Sequence, residues 1–182
     1  MRNILRPVAD PFSADVAAVL DTYPKRDGYL LTLFRVFANS PRFLKKGTSN
    51  LLDRDSPLAM REREIVILRV CAANDCEYEW GVHVAAFAGH VGLTAEQVRA
   101  TRLEAATADC WEEHERTLLS VVDGLCATGT LDDANLQDFQ GRFRVEQQLE
   151  VFALCGNYHT ISFVANAARL AGEPFAARFP VG

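Results

Sequence analysis

Apolar residues recur along the chain at the three- to four-residue spacing of amphipathic helices, and turn residues divide this pattern into short segments. The segments predict helices over about 13–23, 30–39, 57–73, 77–91, 94–103, 112–127 and 146–171, with shorter pieces before residue 52 and after residue 132. Strand signals are nearly absent. The β-rich run at 66–71 lies in a segment too long for a strand, and we interpret it as buried helix. The pattern predicts an all-α bundle of roughly six to eight helices.

Several helix boundaries carry specific signals. Ser56 followed by Pro57 is the pattern of an N-cap and a first helical residue, which predicts a helix start at Pro57. Gly92 is a natural residue to follow a helix end. Thr94 and Gln97 have the spacing of a capping box and predict the start of the next helix.

The composition limits the class of protein. A chain of 182 residues that is 49% hydrophobic can bury a sizeable core, so we expect one domain over 1–182. A net charge of -5 without a Lys/Arg block argues against a nucleic-acid partner. No stretch reaches about 18 apolar residues without a charge, and the first ten residues lack the apolar run of a signal peptide. We therefore expect no membrane segment.

The five cysteines, at positions 71, 76, 110, 126 and 155, are odd in number and have no repeated spacing. This favours reduced thiols in the cytoplasm over a secreted disulfide framework. Most of them are expected to serve as small buried hydrophobes. Cys76, near a histidine, is the one that could be an activated thiol. Its pairing with Cys71 across the break at 74–75 is not favoured by helix geometry.

The segment 77–91 is apolar nearly all round, which is typical of a buried helix. After its first residue, its polar positions are Glu79, His83 and His90, which helical spacing puts on one face. A polar stripe made only of acid/base groups indicates a lined cavity in which protons move. The same three side chains could instead bind a metal, but two residues one turn apart are a weak signal, and we expect no metal site. No Gly-rich phosphate motif is present, and no cofactor is expected.

Glu64 lies on an apolar stripe of the preceding helix, where loss of water raises the pKa of a carboxyl group. A nearby imidazole could share its proton. The structural alternative pairs Glu64 with Arg61 or Arg69 at the edge of the core, and spacing alone does not separate the two. For His83, spacing alone favours a core histidine that is hydrogen-bonded to Glu79 one turn earlier.

Three motifs together resemble the carboxymuconolactone decarboxylase family, which includes an alkylhydroperoxidase D (AhpD) branch. They are Arg-x-Arg-Glu with an apolar run at 61–68, Tyr-Glu-Trp-x-x-His at 78–83 and Gly-Leu-Thr-x-Glu-Gln-(Val/Ile) at 92–98. The core motif spans 57–100, and a weaker similarity extends over most of the chain. The resemblance implies an AhpD-like helical fold. It also implies assembly into homotrimers or hexamers, or possible dimers, with sites near subunit contacts.

The AhpD branch has a Glu followed twelve residues later by Cys-x-x-Cys-x-x-x-His. Glu64, Cys76 and His83 take the Glu, first Cys and His positions, but the second Cys position is Glu79. That branch reduces peroxides through its dithiol, so this departure counts against a peroxidase. The decarboxylase branch lacks the cysteine pair and is thought to use acid/base chemistry on a lactone acid.

The resemblance therefore implies a decarboxylase-like (lyase) or isomerase-like enzyme acting on a small organic acid or lactone. His83 would be the general acid/base, Glu79 would orient it, and Glu64 would be the second proton carrier. The first alternative is an alkylhydroperoxidase-like peroxidase, an oxidoreductase that uses Cys76. The second alternative is a non-catalytic helical assembly protein.

Tyr78, Trp80 and His159 are secondary candidates for lining the substrate pocket. Tyr78 and Trp80 are at least as well explained by core packing, since aromatic residues dominate cores. His159 has a structural or interface role as its alternative.

Overall fold

The computed structural model describes residues 4–181. In chain order, these residues form α1 (Ala14–Leu20), α2 (Thr32–Phe37), α3 (Pro41–Lys46), α4 (Met60–Ala73), α5 (Glu77–His83), a π-helical turn (Val84–Ala88), α6 (Ala95–Leu103), α7 (Glu113–Thr128), α8 (Asp133–Arg142) and α9 (Val145–Ala167). No β-strand forms within residues 4–181. The all-α class is therefore confirmed, with nine α-helices in this range instead of the expected six to eight.

Helix α4 lies at the centre of the fold and packs against α5, α6, α7 and α9. Ile65, Val66, Ile67, Leu68 and Val70 have no measurable exposure, because other helices cover α4 on several sides. The β-rich run is therefore helical, as expected. A helix that is buried nearly all round can carry β-branched residues, because packing outweighs their lower helix propensity.

The capping box between Thr94 and Gln97 forms as expected. The Thr94 hydroxyl accepts from the Gln97 backbone N–H at 3.1 Å, and Gln97 Oε1 accepts from the Thr94 N–H at 3.1 Å. Gly92, which precedes this helix, has φ of 70° in the left-handed region. Glycine adopts that conformation without steric cost.

Two predicted boundaries differ from the structure. Helix α4 begins at Met60 and not at Pro57. The Ser56 hydroxyl donates to Glu150 Oε1 in α9 at 2.9 Å and accepts from the Leu58 N–H at 3.4 Å. The Glu62 carboxylate instead accepts from the backbone N–H that precedes Met60, at 2.8 Å. Helix α9 ends at Ala167, short of residue 171, since Arg169 has φ of 52° and leaves the right-handed helical region.

The π-turn that follows α5 changes the register of the segment 77–91. It spans Val84–Ala88, where the backbone is wider than in an α-helix. One extra residue rotates every later side chain by roughly 100° relative to those before it. The prediction that His90 shares a face with Glu79 and His83 is therefore wrong. Glu79 and His83 are buried, whereas His90 is exposed.

The segment after α9 returns along α5. The Ala177 N–H donates to the Gly81 carbonyl at 3.0 Å, and the Phe179 ring packs 5.2 Å from the Trp80 ring. These contacts hold the C-terminal segment against the helix that carries His83.

Buried Glu173 joins this segment to two helices. Its Oε1 accepts from the Tyr78 hydroxyl at 2.5 Å and from the Thr32 N–H at 2.7 Å, and its Oε2 accepts from the Tyr29 hydroxyl at 2.8 Å. Tyr78 belongs to α5 and Thr32 begins α2. The carboxylate therefore fixes α2 and α5 relative to each other, and both helices border the cavity described below.

Gly81→Ala is expected to lower the free energy of unfolding by about 1–3 kcal/mol, because overpacking outweighs the better helix propensity of Ala. A Cβ at Gly81 would lie 2.2 Å from the Ala177 carbonyl oxygen, so the C-terminal segment would have to move. The matched control is Gly141→Ala in α8, where a Cβ meets no described atom within 4 Å. It should raise stability by about 0.5–1 kcal/mol. Urea unfolding measures the free energy of unfolding of both variants. Equal changes in Gly81→Ala and Gly141→Ala would contradict the close packing at Gly81.

None of the helices within residues 4–181 is both long and apolar enough to cross a membrane.

Candidate active site

His83, the last residue of α5, meets Glu64 of α4 inside the protein. The His83 Nδ1 atom lies 2.8 Å from Glu64 Oε2. The two residues are only 3% and 1% exposed, respectively. The tight connection between α4 and α5 makes these helices neighbours, so the carboxylate and the imidazole face each other. The alternative that pairs Glu64 with an arginine does not occur, since Arg61 bonds Glu115 and Arg69 bonds Asp123.

The other ring nitrogen of His83 faces two more polar side chains. Its Nε2 atom lies 3.5 Å from Glu79 Oε1 and 3.2 Å from the Tyr158 hydroxyl. The second oxygen of Glu79, Oε2, has no hydrogen-bond partner among residues 4–181. His83 thus lies between two carboxylates and a phenol, and one carboxylate oxygen is left unpaired.

Tyr158 was not identified from the sequence. It lies on α9, 75 residues after His83, and is 3% exposed. The apolar spacing of Val151, Leu154, Ile161 and Ala165, all buried, marks the same inner face of α9. That spacing could have predicted that Tyr158 is buried. It could not have predicted that its hydroxyl reaches His83.

The surrounding charges set the protonation states of this cluster. Burial alone would lower the pKa of His83, but the carboxylates of Glu64 and Glu79 outweigh it and raise that pKa to about 10. The pKa of Tyr158 is raised well above its usual range, first by burial and then by the same carboxylates. At neutral pH the cluster therefore holds an imidazolium and a protonated phenol beside Glu64 and Glu79.

A cavity of about 720 Å³ opens onto this cluster. Glu79, His83 and Tyr158 line its buried floor. Glu64 lies behind His83 and does not line the cavity, so it can act on a ligand only through the imidazole. The walls are mainly apolar and come from α2, α3, α5, the π-turn and α9, including Leu31, Phe34, Phe37, Leu44, Val82, Phe87 and Ile161.

Cys76 is placed apart from the cavity. It has no measurable exposure and does not line the cavity wall, and burial raises the pKa of its thiol. Cys71 is equally buried, and burial also raises the pKa of its thiol. A reactive cysteine needs a lowered pKa and access to its target. The structure gives no support to Cys76 as an activated thiol.

The three secondary pocket candidates also lie outside the cavity lining. The Tyr78 hydroxyl bonds Glu173, and the Trp80 Nε1–H donates to the Thr101 hydroxyl at 2.9 Å. His159 is half-buried on α9, and its ring lies on another side of that helix from Tyr158. Tyr78 and Trp80 thus take the core-packing role that was their alternative.

Within residues 4–181, no group of three or more His, Cys, Asp and Glu side chains is arranged to hold a metal ion. The π-turn is the physical reason why the set Glu79, His83 and His90 does not converge. The cluster on the cavity floor is suited to hydrogen bonding and proton transfer.

Comparison with known proteins agrees with the fold and with the sequence motifs. In structure, the chain resembles a peroxidase-related protein from Silicibacter sp. TM1040 (TM-score 0.78, 17% identity, 99% of this chain and 100% of that chain). It also resembles the debrominase Bmp8 (TM-score 0.72, 16% identity, 96% and 94%). A putative antioxidant defence protein AhpD from Agrobacterium tumefaciens is similar over less of the chain (TM-score 0.59, 23% identity, 66% and 82%).

These likenesses concern the fold alone, since the identities are low. No curated protein matches the chain. The family model described as "Carboxymuconolactone decarboxylase family" matches residues 41–123, which include Glu64, Cys76, Glu79 and His83. The resemblance seen in the motifs is therefore confirmed over residues 41–123, which match this family's model.

Proposed function

We propose that this chain is an acid/base enzyme, decarboxylase-like or isomerase-like, acting on a small organic acid or lactone in the cavity. The observation that carries the proposal is the placement of His83 on the cavity floor between Glu64 and Glu79. Titratable groups that are brought together in a pocket and shifted in pKa are suited to general acid/base catalysis.

We exchange the roles that the family resemblance implied for Glu64 and Glu79. Glu79 lines the cavity and Glu64 does not, so we assign the proton-accepting role to Glu79. Glu64 holds the His83 Nδ1 atom from behind and is a positioning residue. His83, an imidazolium at neutral pH, is the proton donor. The Tyr158 hydroxyl is a second hydrogen-bond donor near the same point.

Both reactions can use this arrangement. In an isomerisation, Glu79 takes a proton from carbon next to a carbonyl group while His83 donates to the oxygen that becomes negative. In a decarboxylation, loss of carbon dioxide leaves a carbanion-like centre, and His83 supplies the proton that replaces the lost group.

Two alternatives have less support. A peroxidase would need an accessible thiol, whereas Cys76 is buried and Glu79 takes the position of the second Cys. A non-catalytic assembly protein would have no reason to keep a carboxylate oxygen buried and unpaired at the floor of a cavity, because such groups cost stability.

The test is a panel assay in deuterium oxide with unsaturated lactone acids and β-keto acids. Deuterium uptake and carbon dioxide release are followed by NMR and mass spectrometry. In parallel, tert-butyl hydroperoxide with a dithiol reductant tests the peroxidase. We expect deuterium uptake or carbon dioxide release that is lost in His83→Gln and retained in Cys76→Ala. Peroxide consumption that disappears in Cys76→Ala would overturn the proposal.

Cys71 and Cys76 are expected to resist iodoacetamide in the native protein, because burial both hides their thiols and raises their pKa. Partly exposed Cys110 and Cys126 should react first. Mass mapping measures the order, and urea-unfolded protein, in which all five should react, is the control. A stoichiometric Cys71–Cys76 bridge after peroxide treatment would support the peroxidase alternative.

The odd number and irregular spacing of the five cysteines are also our reason to propose a cytoplasmic location.

We also propose that the protein is a homo-oligomer, a trimer or hexamer by its family resemblance. Val145, Leu149, Phe152 and Phe163 are 70%, 62%, 38% and 62% exposed and follow one face of α9. Exposed apolar residues grouped on one helix face are typical of an association surface.

The double change Leu149→Glu and Phe163→Glu should convert the oligomer to a monomer, because it places charges on this face of α9. Light scattering at micromolar concentration measures the mass. Gln140→Glu on the exposed face of α8 adds charge away from that face of α9, and this control should stay oligomeric. A monomeric wild type would contradict the proposal.

A further inference from the structure

The mouth of the cavity, formed by its exposed lining residues, carries positive charge, whereas an acidic side chain lines its floor. Lys25, Arg26 and Lys45 line the cavity and are exposed, whereas Glu79 is the one carboxylate that lines it within residues 4–181. Lys25 bonds Asp21 at 2.9 Å. Arg26 and Lys45 form no ion pair with any carboxylate in the described range. Two cationic groups at the mouth are therefore available to an anionic ligand.

The Arg26 guanidinium is also held in place, since it lies 4.3 Å from the centre of the Phe175 ring. Such cation–π stacking orders the group without neutralising it. Phe175 itself lines the cavity. The stacking therefore keeps a positive charge at the edge of the opening.

Between mouth and floor the cavity wall is apolar and partly aromatic, with Phe34, Phe37, Val82, Phe87 and Ile161 among its residues. A volume of about 720 Å³ is in the range of pockets that bury most of a drug-sized ligand. Among organic acids and lactones, the walls therefore favour those with an apolar body.

The floor favours a hydrogen-bond donor. Glu79 is 6% exposed and lines the cavity, while its Oε2 atom is itself shielded from solvent and has no partner in residues 4–181. A ligand hydroxyl that reaches the Glu79 side chain from the cavity can donate to its carboxylate. A ligand carboxylate at the same point would face a like charge, which is unfavourable.

We propose that the cavity binds an apolar monocarboxylic acid whose carboxylate is held at the mouth by Arg26 and Lys45, while a hydroxyl group at its far end donates to the Glu79 carboxylate. This orientation rests on the proposed function only in taking the floor as the reacting end. It separates the anchoring carboxylate from His83 and Glu79. Within the proposed chemistry, it thus favours isomerase-like proton transfer at the hydroxyl-bearing end over loss of the anchoring carboxylate.

The test is titration calorimetry with ω-hydroxy carboxylic acids of about six to sixteen carbons, a range that spans ligands of increasing reach. Affinity should pass through a maximum at one length, because both ends must be satisfied together. At that length, the acid without the hydroxyl should bind about tenfold more weakly, as expected for loss of a hydrogen bond to a charged group. The α,ω-diol of the same length is the uncharged comparison.

Lys45→Ala and Arg26→Ala should each weaken the hydroxy acid several-fold while leaving the diol unchanged. The matched control is Lys46→Ala, the exposed neighbour that does not line the cavity, and it should bind like wild type. Circular dichroism confirms that each variant is folded. Absence of binding across the series, or binding that ignores both Lys45→Ala and Arg26→Ala, would overturn the proposal.

Binding and turnover are measured separately, so the two proposals can fail separately. Hydroxy-acid binding with the expected variant pattern, but without acid/base turnover, would leave the ligand class standing and remove the proposed function. Turnover of a panel compound without hydroxy-acid binding would leave the proposed function standing and remove the ligand class.

Discussion

His83→Gln is expected to lower turnover by ~10²–10⁴-fold while the helical fold and the oligomer survive. Gln approximates the size of the imidazole and can still hydrogen-bond near Glu64 and Tyr158, but it carries no transferable proton. The measurement is the initial rate on whichever panel compound exchanges deuterium, with circular dichroism and light scattering as checks on the fold and assembly. A variant that loses stability but keeps nearly full turnover would show that the cluster is only structural.

Glu79→Gln tests the proton acceptor. The Glu79 carboxylate helps to raise the pKa of His83, so removing its charge should lower that pKa and reduce stability near neutral pH. Turnover should fall to an extent similar to His83→Gln, because the proton acceptor is lost. Glu96→Gln, an exposed acid on α6, is the control for charge removal and should leave the rate unchanged. Full activity in Glu79→Gln would remove this residue from the mechanism.

Wild-type turnover should fall on the alkaline side of its pH profile, where His83 loses its proton. His83 acts as the donor in its imidazolium form, and its pKa is raised to about 10. The rate should therefore fall as pH rises through about 10 and should show no alkaline fall near 6.5, the ordinary value for histidine. NMR titration of the His83 ring measures the same pKa independently of any substrate.

Glu64→Leu is expected to lower the free energy of unfolding near neutral pH by about 3–5 kcal/mol, since it removes one partner of a buried ion pair. The raised pKa of His83 fixes the pH dependence. Because the folded pKa exceeds the unfolded one, the stabilisation is fully present below about 6.5 and is lost as pH rises through about 10. The difference between wild type and variant should shrink over that window.

Urea unfolding at several pH values measures this difference, with Glu64→Gln as the matched control. Gln keeps a hydrogen-bond partner for the His83 Nδ1 atom but lacks the charge, so its effect should be intermediate. Both variants should also lower the pKa of His83 in the NMR titration, since burial then acts with less opposition. A difference in stability that stays constant across the window would contradict the proposed ion pair.

The sequence alone determined the features that depend on neighbouring residues. Thr94 and Gln97 form their capping box because both partners lie within one helical turn. Glu79 and His83 are one turn apart on a helix with few other polar residues, which predicts that both are buried together. The short break between α4 and α5 predicts that these helices are neighbours, but it left the partner of Glu64 open until the structure paired it with His83.

The tertiary structure alone decided the rest, because those features depend on segments that are distant in the chain. The Ser56 hydroxyl donates to Glu150 in α9. Tyr78 and Trp80 contact the C-terminal segment and do not line the cavity. Tyr158 reaches His83 only because α9 packs against α5.

The assignment of roles to the two carboxylates was also beyond the sequence. Glu64 and Glu79 both carry a carboxyl group on an inward helix face. The periodicity of the sequence cannot show which of them borders the cavity. Packing leaves the cavity on the Glu79 side of the imidazole, while the π-turn directs His90 away from it. Local spacing determines which side chains point inward, but the arrangement of whole helices determines what they face.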